Sequence, residues 1–388
     1  MILMNPAPAS ASDIAVFRKA YAGKLGTDAD RQREMVASAA YQAAGEARDR
    51  RRFPPPGRLV DVGGYRLHLL CAGQGSPAVV VIPALGGAAL GWLTIQRSLA
   101  TETTVCLYDR AGLGWSDPAH GRRTAQAMAG ELHALLERAP VSPPYVLVGH
   151  SAGGLLARVY AHLYPGQVAG LALIDSSHPE QPRRLPKVGL PDYPAGRWLY
   201  AAAETARPVG LLRLADDLGA FQGLRAKARG ACPPDMTGAW IAITLSSRQR
   251  RAQIQELLDF DLICRDTAAV TGGLGNLPLT VITSSERDPN YPAGSRPQHA
   301  RSRYYPAWAE LQDELAALST NSTHIVAKNA GHHIHRDDPA LVTGAITALG
   351  GLHLTGVSCS GGQPPWGRAL PPVFGRVPGM VPHRCRLS

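Results

Sequence analysis

Residues 145–163 constrain the fold more than any other part of this chain. A short, continuously apolar run, 145–148, leads through Gly149-His150-Ser151-Ala152-Gly153 into a segment whose apolar residues recur at helical spacing. A strand that turns this sharply into a helix leaves no room for side chains beside the serine, which explains a glycine on each side. The pattern predicts a buried strand, a tight turn with Ser151 at its tip, and a helix that packs on the sheet.

Short apolar runs of this kind alternate with amphipathic helical patterns along most of the chain. The runs expected to form buried strands are 78–82, 104–108, 145–148, 171–174, 279–283 and 324–327. Two further strands, 58–62 and 65–71, are joined across Gly63-Gly64, which suits a hairpin turn. The alternation predicts an α/β fold, with a mostly parallel eight-stranded sheet and helices on both faces.

The alternation stops between residues 178 and 272, where helical patterns occur without a strand. We therefore expect a core at 56–177 and 273–352, with 178–272 inserted as a helical lid. The N-terminal extension, 1–55, contains a polar, Ala-rich helix from 13 to 50, whose thin apolar face predicts loose packing. The Gly- and Pro-rich tail, 353–388, is predicted to be disordered.

The charge and the apolar pattern limit the classes of partner. A net charge of +10 is compatible with a nucleic acid or an anionic membrane. No basic stripe interleaved with aromatic residues occurs, so a basic enzyme that binds no nucleic acid is favoured. We expect no transmembrane helix and no stable membrane insertion, because no apolar run is long enough to span a bilayer. The first twelve residues lack the pattern of a secretory signal, so a cytoplasmic protein is expected.

The six cysteines are scattered and show no C-x-x-C pair or metal-ligand spacing. We therefore expect no metal site and no cofactor. Cys71 and Cys106 fall within apolar strand patterns, and we interpret them as packed thiols rather than disulfide partners.

A serine hydroxyl becomes a good nucleophile only when a base takes its proton. His150 is adjacent to Ser151 but should point away from the tip of the turn. His332 follows the last predicted strand and therefore lies at the carboxyl edge of the sheet, where ligand chemistry collects in such folds. His333 and His335 are competitors further along the same loop. The expected base is His332.

A third group must orient the imidazole and stabilise its protonated form. Asp288, in the loop after the strand at 279–283, is the first choice, and Glu286 in the same loop is the second. Asp175, at the end of the strand at 171–174, is the third option. All three lie between the serine and the histidine in chain order, which is the order expected of this fold.

Two backbone N–H groups should stabilise the negative oxygen that forms when the serine attacks. Ala152, directly after Ser151, supplies one of them. Leu85 is expected to supply the other, from the loop Pro83-Ala84-Leu85-Gly86-Gly87 that follows the strand at 78–82.

These residues together resemble the α/β-hydrolase superfamily, in particular its esterase, lipase and peroxidase-like branch, over residues 58–349. The serine turn, the run 108–117, and Gly331-His332 with a proline downstream at Pro339 carry the resemblance. It implies a Ser-His-Asp hydrolase that cleaves a carboxylic ester or related acyl bond of a small molecule through an acyl-enzyme. Relatives that open epoxides or cleave carbon–halogen bonds use Asp as the nucleophile, and Ser151 argues against both.

Two positions depart from the family pattern. Pro83-Ala84 stands where many relatives have His-Gly, and the acid loop is one residue longer than its commonest form, which keeps Glu286 open. The same residues would also serve an amidase or peptidase, a lactonase, or an acyltransferase, and a non-catalytic ligand-binding member of the fold is a further alternative. Aromatic residues of the insertion could line an acyl pocket or form the core of the lid; they are Trp198, Tyr200, Phe221 and Trp240.

Overall fold

The computed structural model describes residues 28–185, 213–214, 216–218, 222–269, 273–285 and 298–351. Several expectations fall outside these residues. They are the start of the N-terminal helix at 13, the tail at 353–388, the acid candidates Glu286 and Asp288, and the aromatic residues Trp198, Tyr200 and Phe221.

The described strands form one eight-stranded sheet in the order β1-β2-β4-β3-β5-β6-β7-β8. Strand β2 is antiparallel to both β1 and β4, and every other neighbouring pair is parallel. The predicted α/β architecture is thereby confirmed. The strands are β1 Arg58–Asp61, β2 Arg66–Ala72, β3 Ala78–Ile82, β4 Val105–Tyr108, β5 Tyr145–His150, β6 Val168–Ile174, β7 Leu279–Ser284 and β8 Ser322–Ala327.

Helices precede β1, occupy connections between the strands and the described part of the insertion, and follow β8. They are α1 Asp28–Arg52, α2 Leu93–Leu99, α3 Ala125–Arg138, α4 Ala152–Leu163, α5 Gln181–Arg184, α6 Gln222–Ala231, α7 Thr237–Thr244, α8 Ser247–Leu258, α9 Phe260–Ala269, α10 Gln298–Ala316, α11 Ile334–Asp337 and α12 Pro339–Leu349. Short 3₁₀ turns at Ala89–Trp92, Pro165–Gln167 and Pro234–Met236 complete the set. No helix in these ranges is long and apolar enough to cross a membrane.

Both faces of the sheet are covered, which is why its strands read as continuous apolar runs. In β3, Val79 and Val81 belong to one apolar cluster, together with residues of α2 and α12. The alternate residues Val80 and Ile82 belong to the other cluster, with residues of α3, α4 and α9. Successive side chains of a strand point to opposite faces, so a five-residue run supplies both clusters.

The described elements of the insertion are helices and one 3₁₀ turn. Helix α8 ends at Leu258, and α9 begins at Phe260. Between them, the Asp259 carboxylate accepts a hydrogen bond from the Arg123 backbone N–H at 2.9 Å. This contact ties the residue between the two helices to the core.

The N-terminal helix α1 packs against the insertion through polar contacts rather than through an apolar face. Gln42 is buried and donates to the Leu245 carbonyl at 2.7 Å. Glu46 accepts a hydrogen bond from the Ser247 N–H at 2.7 Å, at the beginning of α8. Asp49 pairs with the buried guanidinium of Arg213 at 2.5 Å. These polar contacts hold the helix against the insertion, although its thin apolar face predicted loose packing.

Cys71 and Cys106 form a disulfide, so their interpretation as packed thiols is wrong. The two residues lie directly opposite each other in the antiparallel pair β2–β4. Cys232 and Cys264 are buried and take no part in this disulfide. Disulfides are typical of oxidising compartments, so this pairing does not favour the cytoplasmic location expected from the sequence.

Candidate active site

Ser151 occupies the tip of the turn between β5 and α4, in a backbone conformation with φ 52° and ψ −123°. Residues other than glycine rarely adopt these backbone angles, and close packing around the two neighbouring glycines enforces them here. A Cβ on Gly149 would lie 2.5 Å from the Gly154 Cα, and a Cβ on Gly153 would lie 2.1 Å from the Ile82 carbonyl oxygen. Strain of this kind is retained where the neighbouring structure holds it in place, and it presents the serine at the edge of the sheet.

His332 lines the same pocket as Ser151 and is paired with a carboxylate. Its Nδ1 lies 2.7 Å from Oδ2 of Asp175. Asp175 follows β6, the strand next to β5, and its φ of 40° is one of two positive values among the non-glycine residues that the structure describes. The third choice among the acid candidates is therefore the carboxylate that contacts the imidazole. The loop with the first and second choices lies outside the described residues.

The Asp175 carboxylate is buried, and hydrogen bonds hold it in its charged form. Its Oδ1 accepts from the Ser284 backbone N–H and from Nε1 of Trp308, each at 2.9 Å. Burial by itself would raise the pKa of Asp175, but the hydrogen bond and charge of His332, together with these two donors, outweigh it and lower the pKa. A charged acid on Nδ1 leaves the Nε2 side of His332 to act on a proton.

The neighbouring histidines support His332 rather than compete with it. His150 is buried, and its Nε2 donates to the His332 carbonyl oxygen at 2.8 Å. Burial, followed by the nearby His332, lowers the pKa of His150 to about 3, so this ring is neutral. His335 is stacked on Trp92, with ring centres 4.1 Å apart. The expectation that His150 points away from the tip of the turn agrees with these contacts.

Among the described residues, three histidine side chains lie close enough together to hold a metal ion. Nitrogens of His150, His333 and His335 lie within 4.8 Å of one another. Burial lowers the pKa of His333 and His335, and the positive charge of Arg336 lowers it further. A bound cation would meet the same repulsion from Arg336. We therefore interpret the group as packed support for the His332 loop.

The loop expected to supply the second N–H donor is held by a buried ion pair. Arg110 and Glu256 form two hydrogen bonds, at 2.6 and 2.8 Å, and each side chain is 3% exposed. Arg110 also donates to the carbonyl oxygens of Pro83 and Ala84, at 2.6 and 2.7 Å. Glu256, which belongs to α8 of the insertion, accepts from the Gly86 N–H at 2.7 Å.

A small pocket opens at the carboxyl edge of β5, β6 and β7. Its lining residues are Ser151, Asp175, Ser177, Gln181, Ser284, Ser285, Tyr304, Tyr305, Trp308 and His332. The three aromatic residues belong to α10, and no sequence signal distinguished them from ordinary helix residues. Trp240, which was considered for an acyl pocket, packs against the apolar cluster of α2 and α12.

The comparisons with known proteins agree with the fold. A family model described as an alpha/beta hydrolase fold matches residues 77–231. The chain is 25% identical over 276 residues to the uncharacterized protein YqjL of Bacillus subtilis (strain 168), covering 70% of this chain and 84% of YqjL.

Solved structures extend the likeness over most of the chain. An esterase from Thermogutta terrifontis is similar with a TM-score of 0.50 and 22% identity, over 75% of this chain and 95% of the esterase. An enol-lactonase from Burkholderia xenovorans LB400 gives a TM-score of 0.52 and 18% identity, over 75% of this chain and 99% of the lactonase. At these identities the likeness establishes the fold, and the chemistry has to be argued from the site.

Proposed function

We propose that this protein, which has the α/β-hydrolase fold, is a serine hydrolase that cleaves a carboxylic ester or related acyl bond. The proposed catalytic residues are Ser151 as nucleophile, His332 as base and Asp175 as acid. The observation that carries the proposal is the 2.7 Å contact between His332 and a buried carboxylate, next to a serine in a strained turn.

In the proposed first half-reaction, Oγ of Ser151 attacks the acyl carbon and His332 takes the hydroxyl proton on Nε2. The carbonyl oxygen becomes negative and is stabilised by the N–H groups of Leu85 and Ala152. Collapse of this intermediate breaks the bond to the leaving group, which takes the proton from His332. The acyl group then remains on Ser151, and the alcohol departs.

In the second half-reaction, His332 takes a proton from water, whose oxygen attacks the acyl carbon. Collapse returns the proton to Ser151 and releases the carboxylic acid. Asp175 keeps the proton of His332 on Nδ1 throughout and stabilises the positive ring, while its own carboxylate stays charged. The position of Ala152 supports its role, because it begins α4 immediately after the nucleophile, where helix N–H groups are free to meet an anion.

Covalent labelling tests the proposal directly. The full chain should react with a fluorophosphonate at Ser151, and the folded Ser151→Ala variant should not be labelled. Hydrolysis of p-nitrophenyl esters of increasing chain length, beside aminoacyl anilides, should show activity that the same variant lacks. A folded wild-type chain that neither reacts with the fluorophosphonate nor hydrolyses any ester would refute the proposal.

A further inference from the structure

The loop at 83–87 is held in place by a residue of the insertion, and this arrangement bears on the proposed chemistry. From it we infer that Arg110 and Glu256 are positioning residues, which orient the peptide groups on both sides of Leu85. This inference rests on the proposed function, because it concerns the N–H group that would stabilise the oxyanion. It makes the helix α8 part of the catalytic arrangement rather than only a cover for substrate.

The peptide group between Ala84 and Leu85 contains the proposed donor. Its carbonyl oxygen, on Ala84, accepts a hydrogen bond from Arg110 at 2.7 Å. A trans peptide is planar, and its C=O and N–H point in opposite directions. By holding the carbonyl, Arg110 therefore sets the direction in which the Leu85 N–H points.

The next peptide group is held from the other side. The N–H of Gly86 donates to Glu256 at 2.7 Å, and the same carboxylate forms the ion pair with Arg110. Leu85 thus lies between two fixed peptide groups. Burial by itself would raise the pKa of Glu256, but Arg110, the Gly86 N–H and the charge of Arg123 together lower it, so the carboxylate is charged in the folded protein.

Two further side chains of α8 hold the carbonyl of Gly86. Gln249 and Gln253 donate to this oxygen at 2.9 and 3.0 Å. A Cβ on Gly86 would lie 2.6 Å from Cγ of Gln253, so the helix presses directly on the loop. Each of these contacts crosses from the insertion to the core, and the conformation of the loop depends on the docking of α8.

The chain contains a matched control for the loss of a buried charge pair. Glu131 pairs with Arg123 through two short hydrogen bonds, at 2.6 and 2.7 Å, and both side chains are mostly buried. Tyr65 donates to the same carboxylate at 2.6 Å. These partners of Glu131 lie outside the loop at 83–87. Glu131→Gln therefore removes a comparable charge without touching the proposed donor.

The experiment compares Glu256→Gln with Glu131→Gln, using p-nitrophenyl butyrate as substrate. For Glu256→Gln we expect kcat to fall by about 10- to 100-fold. A displaced Leu85 N–H would stabilise the oxyanion less, and the oxyanion forms only in the transition state. KM should change by about twofold or less, since the bound substrate interacts only weakly with this N–H group before the reaction. Glu131→Gln should keep kcat within about twofold of the wild type, because the hydrogen bonds of its carboxylate go to Arg123 and Tyr65 and not to the loop at 83–87.

An alkyl trifluoromethyl ketone gives a readout that a general loss of stability would not move. Ser151 adds to its carbonyl carbon, and the carbonyl oxygen becomes an oxyanion in the same position. The affinity of Glu256→Gln for this inhibitor should fall by the same factor as kcat/KM. Its affinity for the methyl ketone of equal chain length, which serves as a ground-state analogue, should stay unchanged.

Gln253→Ala provides a second variant, because it removes one of two donors to the Gly86 carbonyl and leaves the ion pair intact. It should show the same pattern with a smaller decrease. If Glu256→Gln does not fold, the kcat and inhibitor affinity of Gln253→Ala test the inference instead. Unchanged kcat and inhibitor affinity in the folded variants, or an equal decrease in Glu131→Gln, overturn the inference. A wild-type chain that the fluorophosphonate does not label would instead refute the proposed function.

Discussion

Three N–H donors converge on the Asp175 carboxylate, from His332, Trp308 and the backbone of Ser284. The carboxylate is buried, so each of these hydrogen bonds replaces one that water would have made. A change that removes only the charge should therefore disturb His332 while leaving the packing around it nearly intact.

Asp175→Asn tests this residue. The amide keeps the size of the side chain but cannot stabilise a positive imidazole, so kcat for ester hydrolysis should fall by about 10³- to 10⁴-fold. The alternative acids serve as controls, and Asp288→Asn and Glu286→Gln should each change kcat by about threefold or less. A larger loss in either control than in Asp175→Asn would assign the acid to the loop after β7.

The sequence predicted the serine turn and the histidine loop. It ranked Asp175 third among the acids, whereas Asp175 is the carboxylate that contacts His332 among the described residues. Strands β6 and β7 are parallel neighbours, so the loops after both of them reach the same edge of the sheet. The pattern indicates that an acid follows a strand, but it does not show which side chain reaches the imidazole. One of the donors that fix Asp175, Trp308, is 133 residues distant in the chain.

At the scale of the elements, the strands were predictable because burial on both faces imposes continuous apolar runs. Helix ends were less predictable, because some depend on contacts with distant segments, as the break at Asp259 shows. The disulfide had no local signal at all. Cys71 and Cys106 are 35 residues apart, and they become neighbours only because β2 pairs with β4, which follows β3 in the chain.

The disulfide predicts a measurable dependence of stability on reductant. Closing a loop of this length restricts the unfolded chain and should contribute about 3 to 4 kcal/mol to the free energy of unfolding. Urea unfolding of the wild type, with and without dithiothreitol, should show this difference. Cys71→Ala/Cys106→Ala should show no dependence on reductant, and the control Cys264→Ala should retain it. Equal stability of the wild type under both conditions would contradict the prediction.

At the scale of the whole molecule, burial disfavours the protonated form of several histidines more strongly than nearby carboxylates such as Glu314 favour it. Burial lowers the pKa of His150 to about 3 and that of His178 to about 4. Burial also lowers the pKa of His333 and His335 well below the usual value. In the unfolded chain each of these rings titrates near its ordinary pKa of about 6.5. The unfolded state therefore binds more protons than the folded state in mildly acidic solution.

This difference sets the sign of the pH dependence. Because unfolding takes up protons below about pH 6.5, the free energy of unfolding should fall as the pH is lowered, by up to about 1.4 kcal/mol per pH unit for each ring. Asp175 and Glu256 have lowered pKa values, so their loss of stabilisation begins only near the ordinary carboxyl range, at lower pH. Between about pH 6.5 and 5 the histidines should dominate.

The test is the free energy of urea unfolding, measured from about pH 7 to pH 5. In His335→Phe, an aromatic ring still stacks on Trp92 but no longer titrates, so the slope should be shallower by up to about 1.4 kcal/mol per pH unit. His162→Asn, at an exposed position of α4, leaves the buried rings in place and should keep the wild-type slope. A slope in His335→Phe equal to that of the wild type would contradict the lowered pKa of this ring in the folded protein.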